Sequence, residues 1–346
     1  MTTKTGVCVV GAGFWAEEMH LPTFKRMSNV EVVSVVAASE ATARRVAEKH
    51  GIETWSTEFR QAISDPRVTL VDVVAPNDVH APAVIAAARA GKHAICIKPL
   101  GRTVEEADTM LEAVEEAGTR LFYAENVPFI PGVQEARRLV ESGHIGEVFR
   151  VKACEGIGEP HSAWFFDRER VGGGAIIDMA VHSIAFCEYI AGSRVRSVYA
   201  DADSFVWGAR TEAEDTAVLT LRHENGVIGQ CEDSWSLVGA MDSRFEAFGS
   251  NGRILIDNLH RQPMQVMSTT GSTGLGPGWS YPLPVPSYFA DGHQTMLEHF
   301  IECLQTGERS PVEGEYGRHI VAVAEAAHRS LRSGQREPVA ADTTTG

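Results

Sequence analysis

From Gly6 to about Ala124 the chain alternates short apolar, β-branched runs with longer charged, alanine-rich stretches. The apolar runs are VCVV (7–10), VEVVSVVA (30–37), LVDVVAP (70–76), HAICI (93–97) and RLFYAEN (120–126). Between them lie segments of helical period such as EATARRVAEKH (40–50) and VEEADTMLEAVEEAG (104–118). Runs that are apolar throughout, rather than at every second position, belong to strands covered on both faces. Strands alternating with helices predict a parallel sheet with right-handed crossovers.

The pattern changes near Pro128. A helix is predicted over VQEARRLVESG (133–143), ending at Gly143. Strand-like runs follow within GEVFRVKACEG, VRSVYADADSFVW, DTAVLTLRHENGVIGQCEDSWS and RFEAFGSNGRILIDN. Asn225-Gly226 and Asn251-Gly252 sit between apolar runs, the strongest local hairpin signal. This half is therefore an antiparallel or mixed sheet. Residues 264–292, rich in Gly, Pro and Ser, are expected to form a long loop. Two helices should follow, over 293–307 and 317–334, with a frayed tail ADTTTG.

A chain of 346 residues exceeds one simple core, so two domains are expected, 1–126 and 127–340. The net charge of -15 argues against nucleic acid and anionic membrane surfaces as partners. A small neutral substrate fits that charge. The six cysteines, Cys8, Cys96, Cys154, Cys187, Cys231 and Cys303, form no C-x-x-C pair. They are expected as reduced, buried thiols rather than a disulfide frame or zinc site, and no metal is expected. No apolar segment follows a basic head at the N-terminus, and no apolar run nears the roughly 20 residues of a membrane helix. A cytoplasmic protein is the expectation.

The first strand runs straight into Gly11-Ala12-Gly13-Phe14-Trp15-Ala16, a G-x-G-x-x-A between strand and helix. Gly11 permits the tight turn, Gly13 lets backbone approach a pyrophosphate, and Ala16 keeps the helix close to the sheet. The helix N-terminus offers N–H groups and a positive dipole end to the phosphates. Placed after the first strand of an alternating pattern, this is the fingerprint of a dinucleotide-binding Rossmann domain. The second strand ends Ala37-Ala38-Ser39, without the acid that binds the adenosine ribose. Ser39 could donate to a 2′-phosphate, with Arg44 or Arg45 in reach, whereas Glu40 could do the opposite. NAD or NADP is expected, with a lean to NADP.

Three further segments carry chemistry. Lys98 and Pro99 follow the strand 93–97, at the edge where parallel sheets bind ligands. Taken alone, Lys98 is equally a surface lysine at a strand end. Gly172-Gly173-Gly174 opens an apolar helix in which Asp178 and His182 stand four apart, on one face. A carboxylate beside an imidazole raises its proton affinity and fixes its tautomer. The histidine can then take a hydroxyl proton as hydride leaves the same carbon. An isolated D-x-x-x-H would be a surface pair or a core histidine; after a dinucleotide domain and a Gly-Gly-Gly opening, it is assigned to catalysis. In Pro76-Asn77-Asp78-Val79-His80, Asn77 is placed at the nicotinamide ribose, and His80 braces the loop or caps a helix.

At GAGFWA, APNDVHAPAVIAAARAGKHAICIKPL, ESGHIGEV and GGGAIIDMAVH the sequence resembles the Gfo/Idh/MocA family, over nearly its whole length. The resemblance implies an α/β protein: a Rossmann domain with a doubly wound parallel sheet, then an α/β domain with a largely antiparallel sheet. That second sheet often mediates oligomers, so a homodimer or homotetramer is implied. By position, Lys98 resembles the lysine of the family's E-K-P motif, and Asp178 and His182 its D-x-G-x-H pair. His182 is then the general acid/base, Asp178 polarises it, and Lys98 hydrogen-bonds the reacting oxygen near the nicotinamide. Phe14, Trp15, Pro76, His80, Pro99, Asn126 and Trp164 take positions near the cofactor, although Trp164 is equally a core residue. Ile97 replaces the glutamate of E-K-P, Ala180 the glycine of D-x-G-x-H, and Phe165 the arginine many relatives carry after tryptophan. The last change implies a lost phosphate contact, or an apolar substrate surface shared with Phe166.

The segment from Glu155 to Trp164 lies between a strand and the catalytic helix. It is either a plain structured loop or the wall that holds a ring, with Glu155 and His161 on substrate hydroxyls. The expected activity is oxidation of a secondary alcohol, or reduction of the ketone, in a sugar, sugar derivative or cyclic polyol. Reduction of a non-sugar carbonyl, action on a dihydrodiol, or a non-catalytic NAD(P)-binding sensor are the alternatives. The intact Lys98, Asp178 and His182 argue against a sensor.

Overall fold

The computed structural model describes residues 4–260, 263–272, 274–282 and 289–340. The chain divides into two compact units, Met1–Glu125 with His293–Arg318, and Asn126–Gly292 with His319–Gly346.

In the first unit six parallel strands form one sheet: β1 (Thr5–Val10), β2 (Val30–Val36), β3 (Thr54–Ser56), β4 (Leu70–Val73), β5 (His93–Ile97) and β6 (Leu121–Ala124). Their order is β3-β2-β1-β4-β5-β6. Every residue of β4 and β6, and all of β1 from Gly6 onward, is buried, as strands with helices on both faces must be. The chain winds outward from β1 to β3, crosses to β4, and winds outward the other way. That reversal leaves β1 and β4 adjacent, with Val10 level with Val73, at the switch point of the sheet's carboxyl edge. The short β3 and the helix Phe59–Ile63 are absent from the sequence expectation, because three to five residues carry too little periodicity.

Residues 293–318 correct the expected domain boundary, which assigned everything after residue 126 to the second domain. Phe300 stacks on Phe122 with ring centroids 4.9 Å apart, and the Tyr123 N–H donates to the Val312 carbonyl at 2.9 Å. The Arg318 guanidinium, buried, bonds the Asp108 carboxylate at 2.7 Å. The amphipathic period of the helix Phe289–Thr306 says that one face is buried; it does not say which sheet receives it.

The second unit is built on a nine-stranded sheet. Its strands are β7 (Val148–Ile157), β8 (Val195–Asp203), β9 (Thr216–His223), β10 (Ile228–Ser234), β11 (Met241–Gly249), β12 (Gly252–Asp257), β13 (Met264–Ser268), β14 (Gly278–Ser280) and β15 (Glu337–Pro338). The order is β14-β13-β12-β11-β7-β10-β9-β8-β15. Only the central β7 and β10 run parallel; every other pairing is antiparallel. Along β9 alternate residues are buried, so one face meets helices and the other does not.

Asn225-Gly226 does turn the chain between β9 and β10. At the other expected hairpin Gly249 pairs with Gly252, so Ser250 and Asn251 are the turn residues and Gly252 opens β12. The stretch 264–292 is not a continuous loop: β13 pairs with β12, and β14 with β13. Met264, Val266 and Ser268 are buried at alternate positions, a strand signature masked by the Gly- and Pro-rich residues after it.

The helical stretch Arg168–Ala191 is long and apolar enough to cross a membrane by composition, contrary to the sequence expectation. Its most apolar window is 89% buried inside the fold, as in a core helix.

Candidate active site

In the first unit the turn after β1 is shaped by close approach. Gly11 has φ 125°, and a Cβ there would lie 1.8 Å from the Val74 carbonyl oxygen, which the neighbouring loop presses against the turn. At Gly13 a Cβ would meet nothing within 4 Å, so backbone faces open space that a dinucleotide phosphate can enter. Residues 14–26 are helical, with a π turn at Ala16–His20. Their first intrahelical bond runs from the Glu17 N–H to the Gly13 carbonyl at 3.0 Å, which aims the positive helix end at the turn. Phe14 is exposed, and Trp15 stacks on His293 at 5.1 Å.

The helix is tied down by a residue pair that the sequence reading misses. His20 donates from Nδ1 to Asp72 on β4 at 2.9 Å, and both side chains are fully buried. Fifty-two residues separate them, and no local pattern joins them.

The loop after β4 lies beside this turn, and the loop after β5 comes next along the same edge. Asn77 is buried at the start of the helix Asn77–Arg89, after Pro76. Lys98 and Pro99 follow β5 directly, joined by a cis peptide bond. Sequence offers His80 both as a brace of the loop and as a cofactor contact; its surroundings are those of a brace. The ring is fully buried, and its two nitrogens each lie 2.9 Å from a carbonyl oxygen, that of Ala75 and that of Pro99. His80 therefore sits wedged between the two loops; burial pulls its pKa below the ordinary histidine value, so the neutral ring donates to one of the two carbonyls. The residues present thus fit a dinucleotide: Gly11 and Gly13 at the phosphates, with Asn77 and Lys98 from the next two strands of the same edge.

The adenosine end is less one-sided than the sequence implies. Ser39 caps the helix Glu40–His50, accepting from the Thr42 N–H at 3.2 Å. Arg44 is paired with Glu40 at 2.5 Å, and Arg45 with Glu17 at 2.7 Å. The Arg45 hydrogen bond holds the Glu17 carboxyl down at about 2.

In the second unit Asp178 and His182 lie on one helical run, a π turn at Ile176–Ala180 followed by Val181–Ala191. Both are buried, at 3% and 5% exposure, within a largely apolar helix. The Trp235 indole N–H donates to Asp178 Oδ2 at 2.8 Å. Next to His182, the Ser183 hydroxyl donates to Asp233 at 2.6 Å, and burial pushes the Asp233 carboxyl well above its usual range. Glu155, on β7 opposite Asp233, is also buried and accepts from the Ser243 hydroxyl at 2.8 Å. Asn258 in turn donates to that hydroxyl. Glu155 thus belongs to an interior polar network rather than an open wall.

His161 is exposed, set edge-on to Phe165 at 5.0 Å. Trp164, half-buried, stacks on Phe165 at 3.9 Å. Phe165 itself is buried between Trp164 and Trp235, so its role is packing rather than an apolar substrate surface. Asn126 is buried at the head of the second unit.

Trp235, Glu214 and Asp215 were not singled out by sequence. The Trp235 backbone N–H donates to the Asp215 carbonyl at 2.7 Å, which sets the indole that holds Asp178. Burial would raise the Asp215 carboxyl, but amides led by those of Trp207 and Val206 outweigh it and hold it down at about 2. The local signal for Glu214 and Asp215 is a charged pair directly before a strand whose alternate residues are apolar.

Residues 5–125 match the family described as "Oxidoreductase family, NAD-binding Rossmann fold", and residues 133–255 match the "GFO/IDH/MocA C-terminal domain". The chain is 31% identical over 317 residues to a myo-inositol 2-dehydrogenase of Thermotoga maritima, spanning 90% of this chain and 92% of that one. A levoglucosan dehydrogenase solved in complex with NADH and levoglucosan superposes with TM-score 0.88 at 25% identity, over 98% of this chain and 100% of that one. An aldose-aldose oxidoreductase from Caulobacter crescentus, complexed with glycerol, gives TM-score 0.85 at 27% identity over 97% and 99% of the two chains. Both sequence matches follow the order seen in the fold, dinucleotide domain first, and the chain belongs to the Gfo/Idh/MocA family of oxidoreductases.

Proposed function

We propose that this protein is a nicotinamide-dependent dehydrogenase that interconverts a secondary alcohol and a ketone on a sugar or cyclic polyol. The observation that carries this is the buried Asp178–His182 pair, with Asp178 oriented by an indole N–H at 2.8 Å. In the oxidative direction His182 takes the proton of the substrate hydroxyl, and Asp178 fixes the ring's tautomer and stabilises its charged form. Lys98, which resembles the lysine of the family's E-K-P motif, would hydrogen-bond the reacting oxygen and favour its alkoxide character. Gly11 and Gly13 would hold the nicotinamide dinucleotide, which would supply the hydride acceptor. Trp164 and His161 offer an aromatic face and a hydrogen-bonding group to a ring substrate. The named activities of the myo-inositol and levoglucosan relatives favour that substrate class.

Position 37, where an acid would grip the ribose, is alanine, which admits either dinucleotide. Arg44 and Arg45 already have carboxylate partners, which tempers the lean to NADP. The Arg44–Glu40 pair is exposed and therefore weak enough to open for a phosphate. One experiment tests substrate class and cofactor together: a panel of sugars and cyclic polyols offered with each dinucleotide, followed at the reduced nicotinamide absorbance. Turnover of at least one ring secondary alcohol is expected, with NAD and NADP dissociation constants within about tenfold, some 1.4 kcal/mol, of each other. No turnover across the panel, in either direction, would sink the assignment.

We also propose a cytoplasmic location, supported by six cysteines that are all free thiols. A homodimer or homotetramer is proposed through the sheet face turned away from the helices, where Tyr199, Val218 and Trp279 are exposed. Sedimentation of the Tyr199→Glu/Val218→Glu double variant should show a smaller species than wild type, with its fold intact. Identical sedimentation would place the interface elsewhere.

A further inference from the structure

The helix that carries Asp178 and His182 begins without a cap of its own. The residues before it are Gly172, Gly173 and Gly174, which offer no side chain to the first amides. Those amides go instead to one residue far along the chain. Glu214 Oε1 accepts from the Gly174 N–H and the Ile176 N–H, each at 3.1 Å, and the Glu214 backbone carbonyl accepts from the Ala175 N–H at 2.9 Å. His328, from the helix Gly314–Ser333, donates from Nε2 to the same Oε1 at 3.2 Å.

The glycines are what allow this. A Cβ at Gly174 would lie 2.0 Å from the Glu214 carbonyl oxygen, and one at Gly173 would lie 2.8 Å from the His328 ring. A negative carboxylate at a helix N-terminus is favoured by the helix dipole. Burial alone would push the Glu214 carboxyl up; the bonds from His328 and from the amides outweigh it and keep it ionised.

The pinned turn is the one on which the pair depends. The Asp178 N–H donates to the Gly174 carbonyl at 3.2 Å, so Asp178 stands one turn beyond the held amides and His182 one turn further. The next residue, Asp215, fixes the other contact of the same carboxylate, since its carbonyl holds the backbone of Trp235 and the indole holds Asp178. Glu214 and Asp215 thus grip Asp178 from both sides, through the helix start and through the indole.

We propose that Glu214, clamped by His328, is a positioning residue that sets the place of Asp178 and His182 by pinning the first turn of their helix. This rests on His182 being the acid/base group. The effect expected follows from geometry: displacement of a reacting group by about 1 Å can cost on the order of 100-fold in rate.

The test compares Glu214→Ala with Glu214→Gln in the full chain, using two independent readouts. One is amide hydrogen exchange at residues 174–178, which needs no activity. The other is kcat, counted per cofactor-binding site, together with the cofactor Kd. Glu214→Ala should exchange at least about tenfold faster there and lose about 10- to 100-fold in kcat, with Kd unchanged. Glu214→Gln, whose amide oxygen can still accept from the Gly174 and Ile176 amides, should recover most of both losses. A residue that only adds global stability would change the fraction of binding sites and leave kcat per site alone. Unchanged exchange in Glu214→Ala, or faster exchange with full kcat per site, would overturn the proposal. Full turnover in His182→Ala, beside faster exchange in Glu214→Ala, would overturn the acid–base assignment beneath it while the pinning itself stood.

Discussion

Replacing His182 by alanine is expected to lower kcat by about 100- to 10,000-fold, the range that a positioned general acid or base contributes. The dissociation constant for the dinucleotide should stay within about twofold, because Gly11 and Gly13, proposed to hold its phosphates, lie in the other unit. Alanine removes the proton acceptor and leaves a small cavity in a buried, apolar helix, so some loss of stability accompanies it. His182→Gln keeps much of the volume and still cannot accept the proton at neutral pH. It should therefore match alanine in kcat while standing closer to wild type in Tm. The two variants separate lost chemistry from lost packing. A kcat within a few-fold of wild type in both would remove the imidazole from proton transfer.

Asp178 refines this expectation. Its Oδ2 already accepts from the Trp235 indole, so it is held before any substrate arrives. A carboxylate fixed in this way can orient an imidazole without first losing its own freedom, which is the economy of a preorganised site. The interior acids Glu155 and Asp233 differ in kind. They sit on neighbouring parallel strands; Glu155 accepts from Ser243, Asp233 accepts from Ser183 at Oδ1 only, its Oδ2 being buried without a partner, and burial drives Asp233 toward its protonated form. The charge that adds to burial in pushing Asp233 up is that of the neighbouring Glu232. The place of Glu155 and Asp233 is in holding β7, β10 and β11 together beneath the helix.

The features legible in the chain are those written within one turn or one strand. Gly11 and Gly13 stand directly after a run of β-branched residues, so strand, turn and helix could be placed from about twenty positions. Asp178 and His182 are four apart in an apolar helix, and that spacing alone puts them on one face. What stayed hidden is set by topology. Trp235 reaches Asp178 across 57 residues, Glu214 reaches Gly174 and Ile176 across 40 and 38, and His20 reaches Asp72 across 52. No periodicity connects such pairs, because each residue type is explained locally as a strand or helix position. The same reason misplaced residues 293–318: a helical period encodes that a face is buried and is silent about its partner.

The second large effect separates two glycines that are neighbours in sequence and opposite in function. Gly11→Ala should lower stability by about 3 kcal/mol or more, from positive-φ strain together with overlap of the new methyl group with the Val74 carbonyl. In a unit of this size that is a Tm lower by roughly 6–12 °C, and the distorted turn should also bind dinucleotide poorly. Gly13→Ala meets no protein atom within 4 Å and is not at positive φ, so Tm should stay within about 2 °C of wild type. Its methyl group nevertheless occupies the space the backbone leaves for the pyrophosphate. The dinucleotide Kd should therefore rise about 100-fold, some 2.7 kcal/mol, with the fold unchanged. Calorimetry of cofactor binding beside thermal unfolding reads both quantities on the same two variants. Unperturbed binding in Gly13→Ala would mean that the phosphates rest elsewhere along the carboxyl edge of the parallel sheet. A stable, fully binding Gly11→Ala would mean that the loop after β4 can retreat from the turn it now touches.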